Sequence, residues 1–291
     1  MRILLTGAGG QVGHELVREL APLGELRALD HGALDLADPD ALVAACRDFR
    51  PGLIVNAAAY TAVDRAEGEP EAAEAVNARA PGILAGEAKR LGGVLVHYST
   101  DYVFDGRKRT PYREDDPTGP LNAYGRTKLA GERAIAASGC RHLVLRTSWV
   151  YGPRGRNFLA TMLALAATRE ELRVVDDQRG APTTSPFLAQ ATVRALRAIP
   201  DEGVASGIYH LSAAGETTWA GFASAIFARA AARPGFRAPR VVPIPSSAYP
   251  TPARRPRYSV LSSRKFTRTF GFAPPSWEAQ LDDCFARLGA A

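Results

Sequence analysis

Arg2-Ile3-Leu4-Leu5-Thr6-Gly7-Ala8-Gly9-Gly10-Gln11-Val12-Gly13 decides the fold. A short apolar run breaks at a glycine turn, and Val12, Leu16 and Leu20 then recur at helical spacing until Pro22. Strand, glycine turn and helix form the entry of a dinucleotide-binding fold. There, glycines let the backbone approach a pyrophosphate at the helix N-terminus. The spacing Gly7-x-x-Gly10-x-x-Gly13 is a variant of the usual fingerprint, and glycine turns that serve packing alone are common. A second match is independent of it: the next strand, Leu26 to Leu29, ends at Asp30, where an acid can bind the adenosine ribose.

Working outward, Asp38-Pro39 reads as an N-cap with proline at the first helical position, opening a helix to about Arg50. Leu53–Asn56 is a third strand, followed by the small residues Ala57-Ala58-Ala59. A helix is expected from about Pro70 to Leu91, then a strand Val94–Tyr98 running into Ser99-Thr100-Asp101, and another strand at Leu143–Arg146. Apolar, non-alternating strands that alternate with helices predict an α/β fold: a Rossmann-type doubly wound parallel sheet covered on both faces. From Tyr151 the texture changes, with helices expected at about 157–168, 187–198, 218–232 and 276–288. A proline-rich stretch, Pro234 to Pro256, is too irregular for another βαβ unit. The expected division is a nucleotide-binding domain of residues 1–152 plus about 183–211. A smaller, discontinuous substrate domain takes about 153–182 plus 212–291.

Tyr124-Gly125-Arg126-Thr127-Lys128 places a phenol and an ammonium four residues apart on one helical face. A free tyrosine titrates near roughly 10. A cation close by would lower that value, towards the range where a proton is given and retaken near neutral pH. Tyrosine and lysine at this spacing are also a common surface pair, so the context must decide.

The 291 residues suffice for one large domain or two unequal ones, and 46% hydrophobic with 23% charged residues is ordinary for a globular chain. No apolar run reaches the roughly 18–20 residues needed to cross a bilayer, so a cytoplasmic location is expected. Cys46, Cys140 and Cys284 are odd in number and far apart, which supports buried thiols rather than disulfides or zinc. The net charge of +6 comes mostly from dispersed arginines, with only four lysines (89, 108, 128 and 265). No nucleic-acid module accompanies them, and neither nucleic acid nor membrane is an expected partner. The cluster Arg254-Arg255-Pro256-Arg257 can be a diphosphate contact or a solvated loop.

These segments together resemble the extended short-chain dehydrogenase/reductase family. The likeness covers essentially the whole chain and rests on the glycine loop, on Val55-Asn56-Ala57-Ala58-Ala59-Tyr60-Thr61-Ala62-Val63-Asp64 and on His97-Tyr98-Ser99-Thr100-Asp101-Tyr102-Val103-Phe104. It continues through Pro120 to Gly125, Arg146 to Tyr151, Asp177 to Thr183 and Tyr249 to Ala253. The longer strings narrow it to reductases of the 4-keto group of a dTDP-4-dehydro-6-deoxy-L-sugar, with NADH or NADPH as cofactor.

The resemblance implies Thr100, Tyr124 and Lys128 as the catalytic set: Tyr124 gives the proton, Thr100 hydrogen-bonds the carbonyl, and Lys128 lowers the tyrosine and holds the nicotinamide ribose. It implies cofactor contacts at Gly7, Gly10, Gln11, Val12, Gly13, Asp30, Asp35, Leu36, Ala59, Tyr60, Thr61 and Tyr98, besides Tyr124 and Lys128. Asp101, Tyr102 and Trp149, with Thr100, are implied to face the sugar. Some members dimerise through magnesium held by glutamates. Glu15 matches one of these, but Pro186 stands where another is expected, so no metal and a monomer or weak homodimer are expected. Two other readings stay open: a 4-ketoreductase for a different dTDP-deoxysugar, and a non-catalytic NAD(P)-binding regulatory subunit.

Overall fold

In the computed structural model, which describes residues 1–198 and 206–289, Ile3, Leu4 and Leu5 are fully buried in strand β1 (Arg2–Thr6). Helices cover both faces of this strand, so its sequence has no reason to alternate. Ile3 and Leu5 pack with Leu16 and Leu20 of helix α1 (Gln11–Leu20). Leu4 packs on the opposite side with Leu42 and Cys46 of α2 (Pro39–Phe49), which follows β2 (Glu25–Leu29). The side chain of Asp38 caps α2 by accepting from the backbone of Asp40 and Ala41.

The alternation continues through β3 (Leu53–Asn56), α3 (Pro70–Glu74), α4 (Ala80–Arg90), β4 (Val94–Thr100), α5 (Ala123–Ser138) and β5 (Arg141–Thr147). Beyond β5 come β6 (Val150–Tyr151), α6 (Phe158–Ala166), β7 (Glu171–Val175), β8 (Arg179–Gly180), β9 (Thr183–Thr184) and α7 (Ser185–Arg197). The chain closes with β10 (Gly207–His210), β11 (Thr217–Thr218), α8 (Trp219–Ala230), β12 (Arg240–Ile244), α9 (Arg264–Phe270) and α10 (Trp277–Gly289).

The main sheet has six parallel strands in the order β10-β5-β4-β3-β1-β2. From β1 the chain steps to β2 on one side and then returns to β3 on the other. The segments that leave the C-terminal ends of β1 and β3 therefore part in opposite directions, and a crevice opens between them. After α6 and β7 the chain returns to this sheet through α7, which contributes Leu188, Ala189 and Ala191 to the same core as α1, and through β10 beside β5. A second core gathers Tyr151, Leu159, Leu172, Phe222, Ile226, Trp277 and Leu281 outside the sheet. Of the expected domain segments, residues 199–205 and 290–291 lie outside the described residues.

Two expectations are corrected. The helix from Pro70 to Leu91 is two α-helical segments joined by a π-turn at Ala75–Arg79. This turn carries Asn77, fully buried, whose side chain grips the backbone N–H (2.9 Å) and C=O (3.1 Å) of Tyr60. The proline-rich stretch also holds a strand: β12 runs parallel to β7, with Pro243 paired to Val174. A two-stranded ribbon tolerates proline because its outer edge needs no N–H donor.

Cys46, Cys140 and Cys284 are buried free thiols. Among the described residues no helix is long and apolar enough to cross a membrane.

Candidate active site

The crevice is a cleft of ≈ 910 Å³ running from Asp30 past the glycine loop to Trp149 and Trp219. At one end the loop folds against the start of β3's exit. Gly7 has φ +77, and a Cβ there would lie 2.5 Å from Ala58 N. A Cβ on Gly13 would lie 1.9 Å from Gly7 O, so Gly13 lets α1 pack on the turn rather than facing the cleft. Gly10 is the N-cap of α1 and supplies no side-chain cap, which leaves the first-turn N–H groups and the positive end of the helix directed at the cleft. Gln11, Val12, Asp30, Asp35 and Leu36 line this end with Gly7 and Gly10. Asp30 accepts from Ala33 N at 3.0 Å, which fixes the carboxylate beside the loop.

Helix α5 supplies the centre. Asn122 caps it by accepting from Gly125 N at 2.8 Å and donates to Arg254 O at 2.8 Å. Tyr124, Lys128 and Glu132 then follow at four-residue spacing from the cleft inward, with Lys128 1% and Glu132 3% exposed. Burial pushes the Tyr124 phenol up to about 12, opposed by its hydrogen bond with Thr100. Thr100, at the end of β4, also donates to Asp101 Oδ1 (3.1 Å) and accepts from Tyr102 N (3.1 Å). Burial pushes the Asp101 carboxyl up to about 7, against the hydrogen bond that Thr100 donates to it.

Lys128 is held differently from the expectation. Its Nζ lies 2.5 Å from Tyr98 O and 3.1 Å from His97 Nε2 rather than against the phenol. Desolvation lowers its pKa to about 8, with Glu132 pulling the other way. The tyrosine therefore rises instead of falling, because burial dominates and the Lys128 Nζ is held by β4 rather than by the phenol. Glu132 in turn is bound by Arg146 (2.6 and 2.9 Å) and Ser99 (2.5 Å).

The far end is aromatic. Trp149 has φ +47, left-handed backbone that a bulky residue rarely adopts. Its indole stacks on Trp219 with centroids 3.6 Å apart and planes 4° from parallel. Gly180 lies beneath it, where a Cβ would come within 2.4 Å of Trp149 Cε2. Tyr102 meets Tyr124 edge to face at 6.0 Å and hydrogen-bonds Arg255. Arg255 itself is committed to Asp64, so of the basic cluster only Arg254 and Arg257 are free at the surface.

Ala59, Thr61 and Tyr98 border the cleft between its two ends. Tyr98 does so beside its own backbone, since its hydroxyl reaches across to Thr192 at 2.6 Å. Tyr60 turns away: its hydroxyl bonds Glu69, its ring packs near Ala66, Ala73 and Ala123, and Asn77 occupies both of its backbone groups. Trp219 and Arg156 also border the cleft and went unnoticed in the sequence. Arg156 follows Gly155, whose Cβ would approach Gln11 Cγ at 3.3 Å, so it stands beside the glycine loop.

A family model described as the RmlD substrate binding domain matches residues 1–290. A dTDP-4-dehydrorhamnose reductase of Burkholderia thailandensis is 51% identical, covering 99% of both chains. A probable dTDP-4,6-dihydroxy-2-methyloxan-3-one 4-ketoreductase of Streptomyces antibioticus is 46% identical, over 100% of this chain and 97% of the relative. Among solved structures, the dTDP-4-dehydrorhamnose reductase of Bacillus anthracis in complex with NADP superposes with a TM-score of 0.91. It is 35% identical and covers 98% of this chain and 99% of that one. With likeness of this extent over its whole length, the chain belongs to the dTDP-4-dehydrorhamnose reductase family.

Proposed function

We propose that the chain reduces the 4-keto group of dTDP-4-dehydro-β-L-rhamnose with NADH or NADPH, giving dTDP-L-rhamnose. The observation that carries this reading is the half-buried Tyr124 hydrogen-bonded to the buried Thr100, set midway between a backbone cradle for a pyrophosphate and a tryptophan-walled recess.

The residues fit a dinucleotide. Gly7, Gly10, Gln11 and Val12 offer close backbone and the N-terminus of α1, and Asp30 offers a carboxylate for ribose hydroxyls. Asp35 and Leu36 continue this surface toward the adenine. Thr147 Oγ1, buried in the cleft wall, has no hydrogen-bond partner among the described residues and is left for a ligand. When bound, the nicotinamide supplies hydride to the carbonyl carbon.

The chain's own groups do the rest. Tyr124 gives its proton to the ketone oxygen as charge develops there, and Thr100 orients that hydroxyl. Lys128, which also borders the cleft, would hold the nicotinamide ribose. Asp101, Tyr102 and Trp149 position the sugar, with Trp219 stiffening Trp149. Gly13 and Tyr60 act through packing. Residues 1–152 and about 183–211 form the cofactor unit in this reading, and about 153–182 with 212–291 the substrate unit, supported by β10 in the main sheet and by the separate second core. The nucleotide sugar is the proposed partner, without nucleic acid, membrane or metal, and the protein acts in the cytoplasm as a monomer or weak homodimer.

A second reading, reduction of another dTDP-deoxysugar, is favoured by the Streptomyces antibioticus relative. A regulatory subunit has no chemical need of a phenol held by Thr100 in the cleft. NADH oxidation on adding the dTDP-4-keto-6-deoxysugar, before and after 3,5-epimerisation, separates the readings. Turnover only after epimerisation supports the rhamnose precursor, turnover only before it supports the second reading, and none with either sugar sinks the enzyme.

A further inference from the structure

Behind Lys128 lies a buried polar chain that the proposed chemistry leaves without a task. Thr6 Oγ1 donates to Asn56 Oδ1 at 2.8 Å, Asn56 Nδ2 faces His97 Nδ1 at 3.1 Å, and His97 Nε2 faces Lys128 Nζ at 3.1 Å. Thr6, Asn56 and His97 are 0% exposed and Lys128 is 1% exposed, so water offers none of them an alternative partner.

The direction of each bond follows from one end of the chain. The backbone N–H of Ala58 can only donate, and it reaches Asn56 Oδ1 at 3.2 Å. Reversing the Asn56 amide would set its NH2 against that N–H, so the oxygen is fixed. Asn56 Nδ2 then donates to His97 Nδ1, which must accept. An imidazolium carries a proton on both nitrogens and would oppose the amide, and full burial disfavours its charge as well. His97 is therefore neutral, with its one proton on Nε2, facing Lys128. An ammonium has three N–H groups and no lone pair, so a charged Lys128 would press N–H against N–H. An amine accepts from His97 Nε2–H through its lone pair, gives one proton to Tyr98 O at 2.5 Å, and keeps one for the cleft.

We infer that His97 is a positioning residue that acts through Lys128: locked as the Nε2–H tautomer by Asn56, it favours the amine and poises the lysine between its two protonation states. The groups around the lysine divide as such a balance requires. Glu132, one turn along α5, favours the ammonium, but Arg146 of β5 binds both of its oxygens. Tyr124 lies one turn the other way, and Thr100 at the end of β4 and Asp101 just after it close the cleft side. The inference rests on the proposed role of Lys128, yet both protonation states can be read without turnover.

Two nuclear magnetic resonance measurements on the full chain test it. In ¹⁵N-histidine-labelled protein, the His97 ring, assigned by its loss in His97→Gln, should show an unprotonated Nδ1 and a protonated Nε2 throughout the neutral range. In ¹³C-lysine-labelled protein, Lys128, assigned by Lys128→Met, should titrate with a midpoint near 8. In His97→Gln the amide oxygen can accept from an ammonium, and the midpoint should rise by about one unit, a tenfold change in the proton equilibrium. An Nδ1–H tautomer overturns the inference, as does a midpoint that stays put while thermal stability alone falls. If His97→Gln does not fold, the wild-type tautomer still decides, with the ring assigned by its contacts to Asn56. None of this needs cofactor or sugar, so failure of the reductase reading would appear separately, as absent turnover with the tautomer intact.

Discussion

Asp64 and Arg255 meet in a two-pronged ion pair, Nη1 to Oδ1 at 3.0 Å and Nη2 to Oδ2 at 2.8 Å. Arg255 also donates to Thr251 Oγ1 at 2.6 Å and hydrogen-bonds Tyr102, while Asp64 accepts from Ala253 N at 3.2 Å. The pair thus ties the proline-rich loop to the segment after β3, with Tyr102 between. Lysine keeps the charge but cannot form the fork. Arg255→Lys should raise KM for the nucleotide sugar by about tenfold, a loss of the order of one good charge-assisted contact. NADH affinity should be unchanged, because the glycine loop and Asp30 lie at the other end of the cleft. Steady-state kinetics with fluorescence titration of NADH checks both, and equal losses for the two ligands would place Arg255 in the general fold instead.

Asp101 is 2% exposed, and burial holds its carboxyl at about 7 against 3.8 for an ordinary aspartate. Between those values the unfolded chain has released a proton that the folded chain keeps. The stability linked to this group is therefore complete below about 4 and is lost as pH rises through 7. Asp101→Asn removes that loss. Thermal melting should show the variant gaining on the wild type from pH 4 to pH 8, and parallel curves would mean that the carboxyl titrates normally.

Cofactor choice turns on Asp30, whose carboxylate stands at the end of β2 with its Cβ 3.4 Å from where a Gly9 Cβ would be. It suits a ribose diol and repels a 2′-phosphate. NADH should serve well and NADPH should be tolerated. A preference for NADPH beyond about a hundredfold in kcat/KM, roughly 2.7 kcal/mol, would show that Asp30 does not govern the choice.

Pro186 is buried in the first turn of α7, and Glu15 on neighbouring α1 is bonded to Arg18 at 3.2 Å. A proline side chain has no oxygen to offer magnesium. EDTA should leave activity and sedimentation unchanged. A dimer lost on chelation and restored by magnesium would mean that other oxygens hold a metal.

The sheet was legible because its inner strands are buried on both faces and punctuated by glycine, asparagine and aspartate. The cleft was legible where it is built from chain entering or leaving those strands, as at Gly10, Asp30 and Thr100. What the sequence hid depends on approaches between distant segments. Trp219 reads as an ordinary helix-start residue, and its stack on Trp149 exists only because Trp149 takes a left-handed backbone over Gly180. Tyr60 reads as part of the cleft, yet the π-turn that brings Asn77 to it has no signature in helical spacing. His97 reads as one more strand residue. Only the register of β3 against β4, Asn56 beside His97, reveals its partner.

Tyr124, Thr100 and Lys128 should act as one unit. Tyr124→Phe keeps the ring against Tyr102 and removes the proposed proton donor. Turnover should fall by about 10² or more, the scale of general acid catalysis. Sugar affinity should change little, since the lost interaction matters as charge develops on the ketone oxygen. Thr100→Val keeps the shape and should cost less, because Thr100 orients the phenol without giving the proton. Lys128→Met should lower turnover and weaken NADH binding together. With the phenol at about 12 and the lysine at about 8, any basic fall in wild-type turnover below about pH 9 belongs to Lys128 rather than to Tyr124. That limb should persist in Tyr124→Phe at its lower rate and vanish in Lys128→Met. Steady-state NADH oxidation across pH measures all of this. A Tyr124→Phe enzyme that kept more than about half of its turnover would place the proton donor elsewhere in the cleft.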